Sequence, residues 1–267
     1  MSANVSPSTA APHHLSLSTP HSPLVALLLT LADDELVIGY WDTEWTGIAP
    51  ALEEDVAMSS IAQDEIGHAL AFYTLLQPLT GIEPDTWALG REPEEFRFAR
   101  LIGQARGDWA MSIARRFLYE TADAVRLAAL ERSSYTPLAQ LVAKMRREEQ
   151  YHLTHFQTWF ERFLAQPGDS YDLFVAALER AWPDALDLFA SLDDEDELIA
   201  DGILPEPMLA IRERWQTMLQ PALERAGVTL RGAQPPEPAR RGGLHPDFAW
   251  LHSEMTMVYR SQPGAEW

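Results

Sequence analysis

Residues 58–72 read MSSIAQDEIGHALAF, and residues 142–163 read VAKMRREEQYHLTHFQTWFERF. In the first stretch Met58, Ile61, Glu65, His68 and Phe72 recur in steps of three and four, the spacing that gathers residues on one face of an α-helix. In the second, Val142, Met145, Glu149, His152, Phe156, Trp159 and Phe163 do the same. Each apolar stripe thus carries a Glu-x-x-His pair on the face that a helix buries. By count such pairs are weak signals; their placement on matching inward faces makes them informative.

Helical spacing extends outward from both stretches. It predicts helices over about 23–48, closed by Pro50, and over about 51–77, stopped by the Pro78–Gly81 stretch. A third runs over about 106–133. A fourth spans 136–166, with Thr136 as N-cap, Pro137 at the first helical position, and Pro167 and Gly168 at its end. Shorter helices are expected near 170–191, 206–226 and 246–260, with a loop over 227–243 and a solvated acidic run at 193–197. Strand-like alternation is nearly absent. Four long amphipathic helices predict an all-α four-helix bundle with additional C-terminal helices over residues 23–267. Residues 1–22, rich in Ser, Pro, Ala and Thr, read as a disordered tail.

Composition narrows the chemistry. The chain has 267 residues, 46% of them hydrophobic, and no cysteine. Disulfides, thiolate zinc sites, cysteine-ligated iron–sulfur clusters and cysteine nucleophiles are therefore excluded together, and any metal must be held by His and carboxylates. Net charge is −20, and residues 1–90 contain 12 Asp/Glu without one Lys or Arg. Such a surface repels nucleic acid and acidic membranes. A secretory leader is not expected, since the first basic residue is Arg91; the expected location is the cytoplasm.

The other two long helices each place a carboxylate on an apolar stripe: Val37, Tyr40, Glu44, Ile48 on the first, and Ile113, Phe117, Glu120, Ala124, Leu127 on the third. Buried carboxylates need partners or protons. No Lys or Arg falls within one turn on these stripes, and Arg116 reads as projecting off its stripe. Two divalent cations would match four glutamates. The expected metal ligands, which are also the expected catalytic residues, are Glu44, Glu65, His68, Glu120, Glu149 and His152, with Asp123 as the fallback for Glu120. A Glu from each of two helices and a Glu-x-x-His from each of two others is the ligand set of ferritin-like di-iron and di-manganese carboxylate proteins. Iron is expected over manganese. Asp64 and Glu148 read equally well as acceptors for the free N–H of the histidine on the opposite helix and as ordinary surface charge. His155 reads as lying beside the stripe.

Glu44-Trp45, then Gln63 through His68, then Glu148 through His152 resemble the phenylacetic acid catabolic proteins, the ferritin-like subunits of bacterial phenylacetyl-CoA epoxidase, a ring-1,2 monooxygenase. The segment from Gly243-Leu244-His245 through Pro263-Gly264 to Trp267 looks most like the PaaC-type subunit of that family. The resemblance implies that such subunits are structural partners of a metal-bearing PaaA-type subunit and have a degraded first Glu-x-x-His. Here all six positions stand as in the PaaA type. The implied activity is O2-dependent epoxidation of the aromatic ring of phenylacetyl-CoA in aerobic phenylacetate catabolism. It needs two iron ions and electrons from an external reductase, because no nucleotide motif is visible in the chain.

Implied partners are a homologous ferritin-like subunit, further copies of this chain, the reductase and the acyl-CoA substrate. Arg115, Arg116, Lys144, Arg146 and Arg147 are the candidate coenzyme A contacts, in the least acidic part of the chain. Two other functions remain compatible with the sequence: a non-catalytic scaffold that supports a catalytic homologue, and ferritin-like iron oxidation or storage, which the long C-terminal extension argues against.

Overall fold

The computed structural model describes residues 22–192, 194–225, 227–230, 241–242 and 245–262. Except for Ser22, the tail expected at 1–22 lies outside them, as do most of the 227–243 loop, Asp193 and, from the C-terminal segment that carries the resemblance, Gly243, Leu244 and 263–267. In chain order the helices are α1 (Pro23–Thr43), α2 (Leu52–Thr80), the short α3 (Pro84–Leu89) and α4 (Arg100–Gly103), α5 (Trp109–Leu130), α6 (Thr136–Leu164), α7 (Asp169–Ala185), the short α8 (Glu195–Ala200), α9 (Met208–Arg225) and α10 (Pro246–Ser261). No strand occurs among the described residues. No helix among them is long and apolar enough to cross a membrane.

The fold is an all-α, ferritin-like bundle of α1, α2, α5 and α6. Helix α1 pairs with α2 and α5 with α6, while α7 and α9 cover the outer side of α5. That cover explains why α5 is buried almost all round. Stacked rings tie the layers: Phe117 of α5 on Phe160 of α6 at 4.1 Å, and Phe163 of α6 on Phe174 of α7 at 4.6 Å. Trp215 of α9 stacks on Trp182 of α7 at 5.1 Å and donates its indole N–H to Thr121 of α5. Each such ring pair contributes about 0.5–1.5 kcal/mol beyond its burial.

Local chemistry sets the helix ends. Asp108 caps α5 by accepting the Met111 amide at 2.8 Å. Helix α2 continues through Pro78 and stops at Gly81, whose φ of 73° suits a residue without a Cβ. Helix α1 ends at Thr43, five residues before the expected end. Its following turn is stabilised by hydrogen bonds of its own, from Gly47 N to Asp55 and from Trp45 Nε1 to Ser112. Gly39 lets α1 approach α2 closely: a Cβ there would lie 3.0 Å from both the Glu65 Cβ and the Ile66 side chain. The acidic run expected to be solvated is so in its described residues, with Asp194, Asp196 and Glu197 exposed; its last three residues open α8, which buries Leu198.

Candidate metal centre

The α1–α2 and α5–α6 pairs meet on a cluster of buried carboxylates and imidazoles. Two overlapping groups form it: Glu35, Glu65, His68 and Glu149, and Glu65, Glu120, Glu149 and His152, each offering ligand atoms that all lie within 4.8 Å of one another. Glu65 and Glu149 belong to both. His68 and His152, from α2 and α6, have ring centroids 6.2 Å apart. Five of the expected ligands are therefore brought together: Glu65, His68, Glu120, Glu149 and His152. Asp123 is drawn instead to Arg126 at 2.8 Å and does not join either group.

Glu44 requires correction. It follows the last turn of α1, is only half-buried, and lines a surface cleft of about 370 Å³ with Trp41, Arg106, Asp247 and Trp250. Glu35, more than two turns earlier on α1, supplies the fourth carboxylate. Tyr119 donates to Glu35 Oε1 at 3.0 Å, which leaves Oε2 turned toward His68 Nδ1 at 3.7 Å.

Both histidines are oriented by a neighbouring carboxylate. His68 Nε2 lies 2.9 Å from Glu148, and His152 Nε2 lies 3.2 Å from Asp64. Each pair crosses between α2 and α6, so a carboxylate near the surface takes the Nε2 proton and leaves Nδ1 facing inward. His68 Nδ1 lies 2.9 Å from Glu149, and His152 Nδ1 lies 3.4 Å from Glu65 and 3.5 Å from Glu149. His155 stands aside, with its Nε2 3.3 Å from Glu54.

The expectation that no cation accompanies these stripes is also corrected. Arg116 is fully buried and pairs through Nη2 with Glu65 and Glu120, while its Nε lies 3.4 Å from Asp42. Arg115 is buried as well, so neither arginine is available to coenzyme A; Lys144 and Arg147 are exposed.

Burial in so small a volume redistributes protons. Desolvation, with the charge of Glu65, raises the Glu35 pKa well above the usual carboxylate range; desolvation, with the charges of Glu149 and Glu65, does the same for Glu120. For Glu65 burial acts in the same direction but is outweighed by Arg116 and by the imidazoles of both histidines beside it, which hold it well below that range. Burial opposes charge on His152 too, yet its contacts with Glu149 and Glu65 push it up to about 12, and His68 is raised in the same way. In the metal-free protein, protons thus neutralise the cluster.

Eight buried atoms here make ionic contacts at most and no well-aligned hydrogen bond: Nδ1 of both histidines, Oε2 of Glu35 and Glu65, and both oxygens of Glu120 and of Glu149. Buried polar atoms are ordinarily satisfied. Four carboxylates and two imidazoles, once they give up their protons, offer the oxygen and nitrogen lone pairs that fit two divalent iron or manganese ions. Cations entering this cluster must displace protons. Loading the metal-free chain with two equivalents of Mn(II) at pH 7.5 is expected to release at least about two protons per chain, and affinity is expected to rise with pH because the histidine protons are held far above neutrality. A pH-stat titration checks this; uptake without proton release would contradict the assignment of the imidazole nitrogens.

The fold and the cluster together define a class: a four-helix bundle that places carboxylates and two Glu-x-x-His pairs around a candidate dinuclear centre. The sequence model of the family described as phenylacetic acid catabolic protein matches residues 8–267, and the chain belongs to that family. It is 28% identical to the C subunit of 1,2-phenylacetyl-CoA epoxidase from Escherichia coli (strain K12) over 246 residues, which span 91% of this chain and 99% of that protein. It is 25% identical to the A subunit of the same epoxidase over 205 residues, 74% of this chain and 65% of that protein.

Proposed function

We propose that this chain is a di-iron subunit of a multicomponent monooxygenase that converts phenylacetyl-CoA to its ring 1,2-epoxide in phenylacetate catabolism. The observation that carries the reading is the set of eight buried ligand atoms, none in a well-aligned hydrogen bond, converging from α1, α2, α5 and α6. His68 and His152 would each hold one ion, Glu65 and Glu149 would serve both, and Glu35 and Glu120 would complete the two ends. Iron bound there would supply O2 activation. The chain's own residues do the rest: Glu148 and Asp64 fix the imidazole orientations, Tyr119 holds Glu35, and the buried apolar side chains of α1, α2, α5 and α6 keep water from the centre. With no cysteine in the chain, electrons must come from a separate reductase, and family membership supports assembly with a homologous subunit.

One observation favours a second reading, in which the chain is a scaffold for a catalytic homologue. Arg116 neutralises part of the carboxylate charge without any metal. The two readings part in one experiment: iron content and epoxide formation of the complex reconstituted with the homologous subunit and reductase, using either the native chain or its Glu65→Ala variant. About two irons in the native chain and loss of product with the variant are expected. An iron-free native chain, or undiminished turnover with Glu65→Ala, would leave the scaffold reading.

A further inference from the structure

The two donor groups share Glu65 and Glu149 but differ in their surroundings. Glu65 Oε2 faces His68 Nδ1 at 3.8 Å, whereas Glu65 Oε1 faces His152 Nδ1 at 3.4 Å. Arg116 takes the second of these oxygens, together with Glu120 Oε1. Its positive charge therefore stands at the His152 end of the cluster alone. The guanidinium has no exposed surface and is walled by the rings of Phe156 at 4.8 Å and Tyr119 at 5.6 Å. It cannot reach water without repacking the bundle, so any cation entering that end must share the space with it.

One alternative partner is within reach. Arg116 Nε lies 3.4 Å from Asp42 Oδ2, and both Asp42 oxygens are buried without a hydrogen bond. Asp42 belongs to neither donor group. A buried guanidinium stripped of every carboxylate would be strongly destabilised, and Asp42 is the group that prevents this when Glu65 and Glu120 are engaged elsewhere.

We infer that Arg116 makes the centre unequal: the Glu35–His68 end binds a divalent cation first, and the Glu120–His152 end accepts a second only as Arg116 moves its pairing from Glu65 and Glu120 to Asp42. This rests on the metal-centre reading above. Charge supports the order. The first end offers three carboxylates and no fixed cation, while the second has its carboxylates shared with a guanidinium and then faces the first ion as well. With two divalent ions bound, the four glutamates are balanced by metal and Arg116 is balanced by Asp42.

The test is an anaerobic titration of the metal-free full chain with Mn(II), the free ion being read by electron paramagnetic resonance. The native chain is expected to bind two ions in separate steps, the second at least about tenfold weaker than the first. Arg116→Met should bring the steps together, Arg116→Lys should keep them apart, and Asp42→Asn should weaken the second step further while sparing the first. Circular dichroism establishes which variants fold; should Arg116→Met not fold, the native steps and Asp42→Asn still decide the matter. Two equally strong steps in the native chain, or an Asp42→Asn titration identical to the native one, would overturn the inference and leave the metal centre standing. No binding by the native chain or by any folded variant would overturn the metal-centre reading itself.

Discussion

Glu35→Ala is expected to weaken iron binding by at least about 100-fold at one end of the cluster, since losing even a supporting group of a metal ligand costs about 10–100-fold in affinity. Glu44→Ala should bind iron like the native chain. Only Glu35 reaches the donor atoms; Glu44 lies past the end of α1 on a surface cleft. The comparison is made by anaerobic iron loading followed by elemental analysis of the folded variants. Heat stability of metal-free Glu35→Ala should stay within about 1–2 kcal/mol of the native value, because the lost Tyr119 hydrogen bond is offset by removing a desolvated carboxyl group. Normal iron in Glu35→Ala, or depleted iron in Glu44→Ala, would return the ligand to the later position.

Why the sequence pointed to Glu44 and not Glu35 follows from the surroundings of α1. A stripe identifies an inward face only when the opposite face is wet. Residues Leu27 through Gly39 of α1 are all buried, so its hydrophobic pattern has no preferred direction, and Val37, Tyr40, Glu44 and Ile48 looked as good a stripe as any other. On α2 and α6 one face is solvated, and there the pattern located Glu65, His68, Glu149 and His152 correctly. For Asp64 and Glu148 the sequence left histidine support and ordinary surface charge level, and the structure decides for support. The available signal for Glu35 was the run Asp33-Asp34-Glu35 directly after nine apolar or small residues. Three acids inside an otherwise apolar helix must each find a partner.

Arg116 was missed for a related reason. A residue beside a stripe is exposed when its helix lies at the surface, but α5 is covered by α7 and α9 as well as packed on α6, so Arg115 and Arg116 are buried with the rest. The cover depends on the C-terminal helices, whose packing onto α5 no local pattern encodes. On α10 itself Trp250 and Met257 are exposed while Met255 is buried.

Asp33→Ala should be the most destabilising of these substitutions, by about 3–5 kcal/mol, the usual cost of removing one member of a buried ion pair. Successive helix residues turn by about 100°, so Asp33, Asp34 and Glu35 point in three directions. Asp34 meets Arg126 at 2.8 Å and Arg241 at 2.9 Å, Glu35 enters the cluster, and Asp33 pairs with Arg91. Asp33 also accepts from Tyr73 and from the Arg97 amide, each at 2.6 Å. Arg91 is 1% exposed and lies against the Phe96 ring at 3.9 Å; without Asp33 its remaining acceptors are the carbonyls of Trp87 and Glu95 and the Tyr73 hydroxyl, none of them charged. Calorimetry of the metal-free protein should show a fall of roughly 6–20 °C, at about 2–4 °C per kcal/mol for a chain of this size. Asp33→Leu combined with Arg91→Met should recover much of that loss, because an apolar pair removes the stranded charge along with its partner. Iron bound per folded chain should stay near the native value in Asp33→Ala, since Asp34 still fixes the rotation of α1. A loss below about 1 kcal/mol would mean that Arg91 is held by its carbonyl acceptors alone, and that the first acid of the run contributes little to the position of the third.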